Sequence, residues 1–315
     1  MTDLQQSAFQ RSARHRVAIV IVTYNSGDVL GGCLASLLPS DGVDITAVVV
    51  VDNNSKDDSV AVALAAAERL PVRSVQTGRN AGYAAAINAG LAALGEQMYD
   101  ALWVMNPDVR MRPDTLATLA DVLKESGRGM SVPLMLNSDG SLQPSLRRMP
   151  TVGRALAEAV IGGDRAGRIG KLGELITDPD EYERPGEFAW ATGAALLVSA
   201  EVVRELGPWD ESFVLYSEET EYMLRARDRG WKLWFEPRAV VEHIGGESHV
   251  NPTLAALLTV NKVKLFRRRR GRAAGSAYYA AVLLGESVRA VTGRRIARAS
   301  VAALMHPSNP PRLAD

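Results

Sequence analysis

"VVVVDNNSKDDS", residues 48–59, changes character in the middle. A run of β-branched side chains without polar alternation reads as a strand buried on both faces, the kind found in parallel sheets. It stops on Asp52, Asn53, Asn54 and Ser55, residue types that make turns and cap helices. Ser55 or Asp57 is placed to cap a helix over 58–70. Alone, the segment reads equally well as a structural turn and as a polar edge built to hold something.

The neighbouring sequence separates the two. Upstream, "RVAIVIVTYN" (16–25) is another buried strand, followed by a helix over 27–38. Downstream come a strand at 72–77, a strongly helical "GYAAAINAGLAAL" (82–94), a strand in "ALWVMN" (101–106) and a helix opened by Pro113. Strands alternating with helices imply an α/β fold, with a mostly parallel sheet, right-handed crossovers and flanking helices on both faces. Ligands in such sheets bind beyond the carboxyl ends of the strands. Thr23-Tyr24-Asn25, Asp52-Asn53-Asn54-Ser55 and Asn106-Pro107-Asp108 are three such ends, and they belong on one rim.

A chain of 315 residues that is 47% hydrophobic, with 36 basic and 36 acidic residues, has the makeup of a soluble protein with one large core or two modest ones. Zero net charge gives no whole-molecule attraction to nucleic acid. The single cysteine, Cys33, excludes an internal disulfide, suits a reducing compartment and reads as a packed thiol on a helix face. Residues 1–15 are polar and expected to be disordered, and the short apolar run after them is a strand, not a secretion signal. No stretch approaches the roughly 18 apolar residues of a membrane span, so a cytoplasmic protein is expected.

Neither a Gly-Lys-Ser phosphate loop nor G-x-G-x-x-G follows the first strand, which disfavours P-loop nucleotidases and nicotinamide dehydrogenases. A glycine-rich, lysine-bearing element of the sugar-nucleotidyltransferase kind is missing there too. The rim offers instead an acid and amides suited to a nucleobase and ribose. It continues in "GRNAGY" (78–83), where Arg79 and the backbone near Gly82 can meet a diphosphate at a helix start. Asp108 stands where one carboxylate can bridge a metal to phosphate oxygens.

"VTYN" (22–25), "DNNSKD" (52–57), "GRNAGYAAAIN" (78–88), "MNPDV" (105–109), "ATGAALLVS" (191–199) and "WDESFVLYSEETEYMLRARDRGWKLWF" (209–235) follow one another in a telling order. In these six segments the chain, over roughly residues 16–270, resembles family 2 inverting glycosyltransferases of the GT-A fold, most closely the bacterial rhamnosyltransferase-like branch. The resemblance implies that Thr23, Tyr24 and Asn25, with Asp52 and Asn54, contact the base and ribose of a nucleotide-sugar. Arg79, Asn80 and Gly82 would line its diphosphate and sugar, with Asn88 nearby on the same helix. Asn106-Pro107-Asp108 matches the family's Asp-x-Asp element with an asparagine in first place. Asp108 is then the ligand of a divalent metal, Mg²⁺ or Mn²⁺. His243, in "AVVEHIGGES" (239–248), matches the family's histidine near that metal.

The same resemblance divides a GT-A domain over 16–250 into a nucleotide-sugar half (16–136) and an acceptor half (137–250). Trp190, Thr192 and Gly193 would face the acceptor, and Arg147 with Arg148 is placed to steady a diphosphate. The family's general base sits at a helix start, usually as the Asp of a Glu-Asp pair. Here the pair is Glu218-Glu219, in a helix that Ser217 is placed to cap. Position for position, Glu219 is the base, and Glu218 remains the other candidate. Acids in a first turn also favour the helix dipole, the plainer reading of both.

Residues 251–315 form a helical, basic region. "NKVKLFRRRRGR" (261–272) and "GRRIARAS" (293–300) flank the apolar "AYYAAVLLGESV" (277–288). This reads as an amphipathic, polybasic surface lying on an anionic membrane. A solvated helix or a homodimer contact is the plainer reading, and no base-reading module accompanies the arginines. The expected function is inverting transfer of a sugar to a hydroxyl of a lipid-linked or cell-envelope glycan, at the cytoplasmic face of the membrane. The donor expected first is dTDP-rhamnose, with UDP-sugars such as UDP-galactofuranose next. A non-catalytic nucleotide-sugar-binding protein is the competing class, and retention of Asp108, Glu219 and His243 speaks against it.

Overall fold

A computed structural model of the chain describes residues 14–245, 251–306, 311 and 313. Most of the polar N-terminal tail and the end of "AVVEHIGGES" lie outside the described residues. The first half runs β1 (His15–Thr23), α1 (Gly27–Leu37), β2 (Val43–Asp52), α2 (Ser59–Ala65), β3 (Val72–Gln76), α3 (Tyr83–Leu94), β4 (Ala101–Met105), β5 (Val109–Met111), α4 (Thr115–Val122) and β6 (Arg128–Leu136). Then come β7 (Leu146–Arg147), α5 (Val152–Ile161), α6 (Gly163–Arg168), β8 (Gly186–Phe188), β9 (Trp190–Ala191), β10 (Ala195–Ser199), α7 (Ala200–Leu206), α8 (Glu218–Asp228) and β11 (Lys232–His243). The chain closes with α9 (Pro252–Val291) and α10 (Arg295–Met305).

Successive side chains of a strand point to opposite faces, so β1 feeds two cores. Val17, Ile19 and Ile21 pack with α1 and α4, while Ala18, Val20 and Val22 pack with α3, α7 and α8. Both sheet faces are therefore covered, as the unbroken apolar runs require. The main sheet has the order β3-β2-β1-β4-β10-β6-β11-β5, with β8 added on β11. Strands β1 to β4 are parallel. β10 is inserted antiparallel between β4 and β6, and β6 runs parallel to β11.

The reversal of β10 shapes the rim. Because β10 runs backwards, its beginning lies at the carboxyl edge: Ala195 pairs with Met105, which sets residues 192–194 beside Asn106. β11 ends at the same edge, where His243 pairs with Val109, next to Asp108.

Several local expectations shift. The helix expected over 58–70 is α2 and a single 3₁₀ turn, Ala66–Glu68. Its cap position is Asp58, not Ser55 or Asp57. Pro113 precedes α4, whose cap position is Asp114. The long C-terminal helix breaks at Gly271 (φ 79°, ψ −179°). A straight helix would separate residues eight apart by about 12 Å. Yet a Cβ at Gly275 would come within 2.8 Å of the Arg267 side chain, and the Phe266 and Tyr278 rings stack with centroids 4.0 Å apart. The two arms, 252–270 and 272–291, therefore fold back on each other. Ala155 of α5 and Leu304 of α10 complete their core. Among the described residues, no helix is long and apolar enough to cross a membrane.

Candidate active site

The polar ends of β1 and β2 are laced together. Asp52 is 2% exposed and accepts from the Thr23 hydroxyl (3.1 Å), the Ser55 hydroxyl and the Ser55 N–H (3.0 Å). Its carboxylate thus braces the turn from within, which limits direct contact with a nucleobase. The Asn25 N–H donates to the Ser55 hydroxyl, and the Asn25 side-chain carbonyl accepts from the Lys56 N–H at 2.8 Å. Asn25 (φ 50°) and Asn54 (φ 67°) take the left-handed backbone that asparagine tolerates. Asp57 accepts from the N–H groups of Gly27 and Ser59, tying the starts of two helices. Tyr24 is half-buried beside this turn, and Arg79 and Asn80 lie on the neighbouring loop, Arg79 exposed.

Gly82 has φ 88°, and a Cβ there would lie 2.0 Å from the Val214 carbonyl oxygen. Only glycine lets α3 start against that carbonyl, which accepts from the Tyr83 N–H at 2.8 Å. Asn88 is occupied elsewhere: it holds the backbone of Trp209 and the Glu211 carboxylate, not the rim.

Asp108 and His243 meet at the rim, with 3.4 Å between Oδ1 and Nε2. The histidine tautomer follows from its neighbours. The Gln143 amide nitrogen donates to the Asn137 side-chain oxygen (2.9 Å), so Gln143 Oε1 faces His243 Nδ1 at 2.6 Å and can only accept. Nδ1 therefore carries the proton, and Nε2 turns its lone pair toward Asp108 and Asn106. A carboxylate and a bare imidazole nitrogen on one edge, with the imidazole oriented by an outer amide, form a donor pair suited to Mg²⁺ or Mn²⁺. The remaining coordination would come from diphosphate oxygens and water. The Gly245 N–H donates to Asp108 at 2.8 Å. Burial would raise this carboxyl, but a protonated His243, donating from Nε2 and carrying positive charge, outweighs it with the Gly245 N–H and holds it below the ordinary range; a metal at the neutral imidazole would take that proton's place.

Across the rim, α8 begins after two consecutive left-handed residues, Tyr216 (φ 65°) and Ser217 (φ 76°). Ser217 makes no side-chain cap, contrary to the sequence expectation, because its backbone lies outside the extended region that capping uses. The turn swings Glu218 and Glu219 inward. One carboxylate oxygen of each is shielded from solvent and has no hydrogen-bond partner among the described residues. Burial raises both carboxyls. Glu218 goes well up because the Glu219 charge adds to burial, whereas backbone N–H groups at Glu219 and Thr220, and after them Arg147, pull Glu219 part of the way back down. Tyr83 lies between the two sides. Its hydroxyl donates to the Gly193 carbonyl (3.2 Å), and burial with the charges of Glu218, Glu219 and Asp108 pushes its phenol well up. The carboxylates of the two sides thus act on one group.

Gly193 is a contact surface for Glu219, since a Cβ there would sit 2.8 Å from the Glu219 Cβ. The Thr192 N–H donates to the Ser145 carbonyl, and the Arg147 guanidinium lies 5.4 Å from the Trp190 ring centre. The Trp190 indole nitrogen and the Ser145 hydroxyl are further buried polar groups without a partner among the described residues. Arg148 is instead engaged by Glu181 and the Gly173 carbonyl. Cys33 is buried and its thiol pushed up to about 12, an inert packed group as expected.

Residues 18–172 match the family model described as glycosyl transferase family 2. An N-acetylglucosaminyl-diphospho-decaprenol L-rhamnosyltransferase of Mycobacterium tuberculosis is 34% identical over 235 residues, covering 71% of this chain and 75% of the relative. The chain belongs to glycosyltransferase family 2. A low-salt glycan biosynthesis hexosyltransferase of Haloferax volcanii is 23% identical over 69% of this glycosyltransferase and 64% of the relative. A mannosyltransferase from Pyrobaculum calidifontis, solved with GDP-Man and Mn²⁺, superposes with TM-score 0.58 over 96% of this chain and 83% of that one, at 18% identity. The fold is that of the GT-A structures.

Three residues at the glycosyltransferase rim escaped the sequence reading. Gln143, which sets the His243 tautomer, sits in a linker with no motif around it. Tyr83 was visible only as a helix start. Asn261, in the first arm of α9, is 5% exposed and donates to the carbonyls of Leu215 (2.8 Å) and Tyr216 (3.2 Å). It holds the left-handed turn before Glu218 from 45 residues away, a distance no local pattern reveals.

Proposed function

We propose that this glycosyltransferase moves rhamnose from dTDP-rhamnose to a hydroxyl of a lipid-linked glycan intermediate, with inversion, at the cytoplasmic face of the membrane. The observation that carries the chemistry is the pair of shielded, unpartnered glutamate oxygens facing the rim of Asp108 and His243. The identity to a decaprenol-linked rhamnosyltransferase supports the choice of donor and acceptor class.

An acceptor hydroxyl is a poor nucleophile and must lose its proton as it attacks the anomeric carbon. A base has to be ionised, and backbone N–H groups at the start of α8 together with Arg147 favour the charged form of Glu219, while Glu218 is pushed toward its neutral form. Glu219 therefore takes the proton, and Glu218 stays protonated beside it. Attack opposite the leaving group by way of one base inverts the anomeric centre. Thr23, Tyr24, Asn25 and Asn54 border the nucleoside, with Asp52 bracing their turn. Arg79, Asn80 and Gly82 border the diphosphate. Asp108 and His243 would hold a divalent ion, whose charge when bound stabilises the departing diphosphate. Trp190, Thr192, Gly193 and Arg147 border the acceptor.

The test is a donor panel read by thermal stabilisation and by transfer. At a hundredfold excess over Kd a ligand stabilises by about 2.7 kcal/mol, enough to see. dTDP-rhamnose with Mn²⁺ or Mg²⁺ should raise Tm most and EDTA should remove the effect. A GlcNAc-diphospho-polyprenol should then receive the sugar with inverted configuration. A larger shift with a UDP-sugar would move the donor assignment, and no shift with any nucleotide-sugar would sink the reading.

A further inference from the structure

Eight of the thirteen large hydrophobic side chains exposed among the described residues fall in two segments, 156–172 and 284–305. The first includes Val160 at 76% exposure and Ile169 at 52%. In the second, Leu284, Val288 and Val291 recur at spacings of four and three residues, which makes one stripe along α9. The segments meet at a helix crossing, where a Cβ on Gly285 would lie 3.2 Å from Ala159 of α5. α10 is tied to the same arm, its Leu304 carbonyl accepting from the Tyr279 hydroxyl. On the outer side of α10 stand Arg295, Arg298 and Met305, all exposed.

The charge around this crossing is one-sided. Residues 156–172 and 284–305 hold seven Lys and Arg against three Asp and Glu, in a chain whose totals are equal. Two arginines of the run at 267–270 have a different job. Arg268 pairs with Asp210 (3.0 Å) and Arg269 with Asp228 (2.8 Å), so these side chains are folded onto the catalytic domain.

We propose that the α5–α6 tip, the α9 stripe and the outer side of α10 form one surface that docks on an anionic bilayer. Val160, Val288 and Val291 would enter the headgroup boundary, and Arg165, Arg168, Lys171, Arg294, Arg295 and Arg298 would meet lipid phosphates. A second copy of the chain is a poorer occupant, because a symmetric contact would set the seven cations of one protomer against those of the other. The proposal rests on the reading of the acceptor as lipid-linked and replaces the arginine run as the membrane face.

The first arm of α9 braces the catalytic turn, so point variants of the full chain test the surface better than truncation. Wild type should sediment with vesicles containing phosphatidylglycerol, weakly with pure phosphatidylcholine, and less as salt rises. The triple variant Val160→Glu/Val288→Glu/Val291→Glu should lose at least tenfold in vesicle affinity, with Tm and nucleotide-sugar binding unchanged. Arg294→Ala/Arg295→Ala/Arg298→Ala should do the same. Arg268→Ala/Arg269→Ala should lower Tm and leave vesicle affinity alone. Undiminished sedimentation of both triple variants would overturn the proposal. So would a wild type that ignores vesicles and dimerises through this face, with the glutamate variant monomeric. Transfer to a short-chain, water-soluble acceptor separates the two readings. Docking variants should keep that transfer, whereas a wild type unable to perform it, despite binding vesicles, would fail the functional reading and not the surface.

Discussion

Glu218 and Glu219 are chemically the same residue one position apart, and their surroundings divide the work. Glu218 is 2% exposed and meets the charge of Glu219 on top of its burial, while Glu219 is eased by backbone N–H groups and Arg147 and lies against Gly193. Glu219→Gln keeps size and removes the proton acceptor. It should leave donor affinity nearly intact and cut transfer by roughly 10²–10⁴-fold. Glu218→Gln should cost far less in rate. It should also raise Tm at neutral pH, because a carboxyl raised by burial contributes stability that is present below its ordinary pKa and lost as pH rises through the folded value. The acid limb of transfer should lie above the usual glutamate range, since the base is raised. Single-turnover rates beside melting curves separate the roles. If Glu218→Gln is the inactive variant, the base is one residue earlier; if both fold and both transfer, the start of α8 is not the catalytic centre.

What aims these glutamates is a helix that the sequence presents as a separate basic region. The first arm of α9 sends Asn261 to the Leu215 and Tyr216 carbonyls and Arg268 to Asp210, clamping a turn whose two left-handed residues cost on the order of 1–3 kcal/mol each. Asn261→Asp keeps the shape but cannot donate, removing the hydrogen bonds to the Leu215 and Tyr216 carbonyls at about 1–3 kcal/mol. Its kcat should fall at least tenfold with donor Kd within about twofold, and the pH profile of transfer should move as the glutamates shift. A lower Tm with kcat and pH profile unchanged would reduce Asn261 to a purely structural role. The clamp also marks the boundary of what could be read in advance. The strand ends at Thr23, Asp52 and Asn106 were legible because β-branched runs stop abruptly on polar residues, and parallel order then puts them together. The reversal of β10 was not, since "ALLVS" carries no direction, and with it the approach of Gly193 to Glu219. Nor was the fold-back at Gly271, because a glycine inside an arginine run reads as one more polar position. Ser217 looked like a cap by residue type, and the left-handed turn that defeats it is imposed by contacts far along the chain.

The catalytic and C-terminal parts are joined at a half-buried acid that belongs to neither motif. Glu174 donates its N–H to Glu158 of α5, and its carboxylate lies 3.5 Å from the Tyr278 hydroxyl on the second arm of α9. Its carbonyl accepts from the Arg148 N–H beside β7. Burial pushes its carboxyl up to about 7; Glu158 adds to the rise, while Lys262 on the first arm and Arg147 oppose it. α5, the end of β7 and both arms of α9 therefore bear on this one carboxyl. Because the folded value exceeds the ordinary one, the folded molecule holds the proton more tightly than the unfolded chain. The stability this confers is full below about pH 4.5 and is lost as pH rises through about 7. Glu174→Gln carries no such titration. Its melting curve should coincide with wild type near pH 4, diverge between pH 4.5 and 7, and end about 2–5 °C higher at pH 8. Calorimetry across that range decides it. Superimposable curves would mean that Glu174 titrates as an exposed carboxyl does. A variant less stable at pH 8 would mean that attraction to Lys262 and Arg147 outweighs burial, so that the junction is held by ion pairs and not by a retained proton.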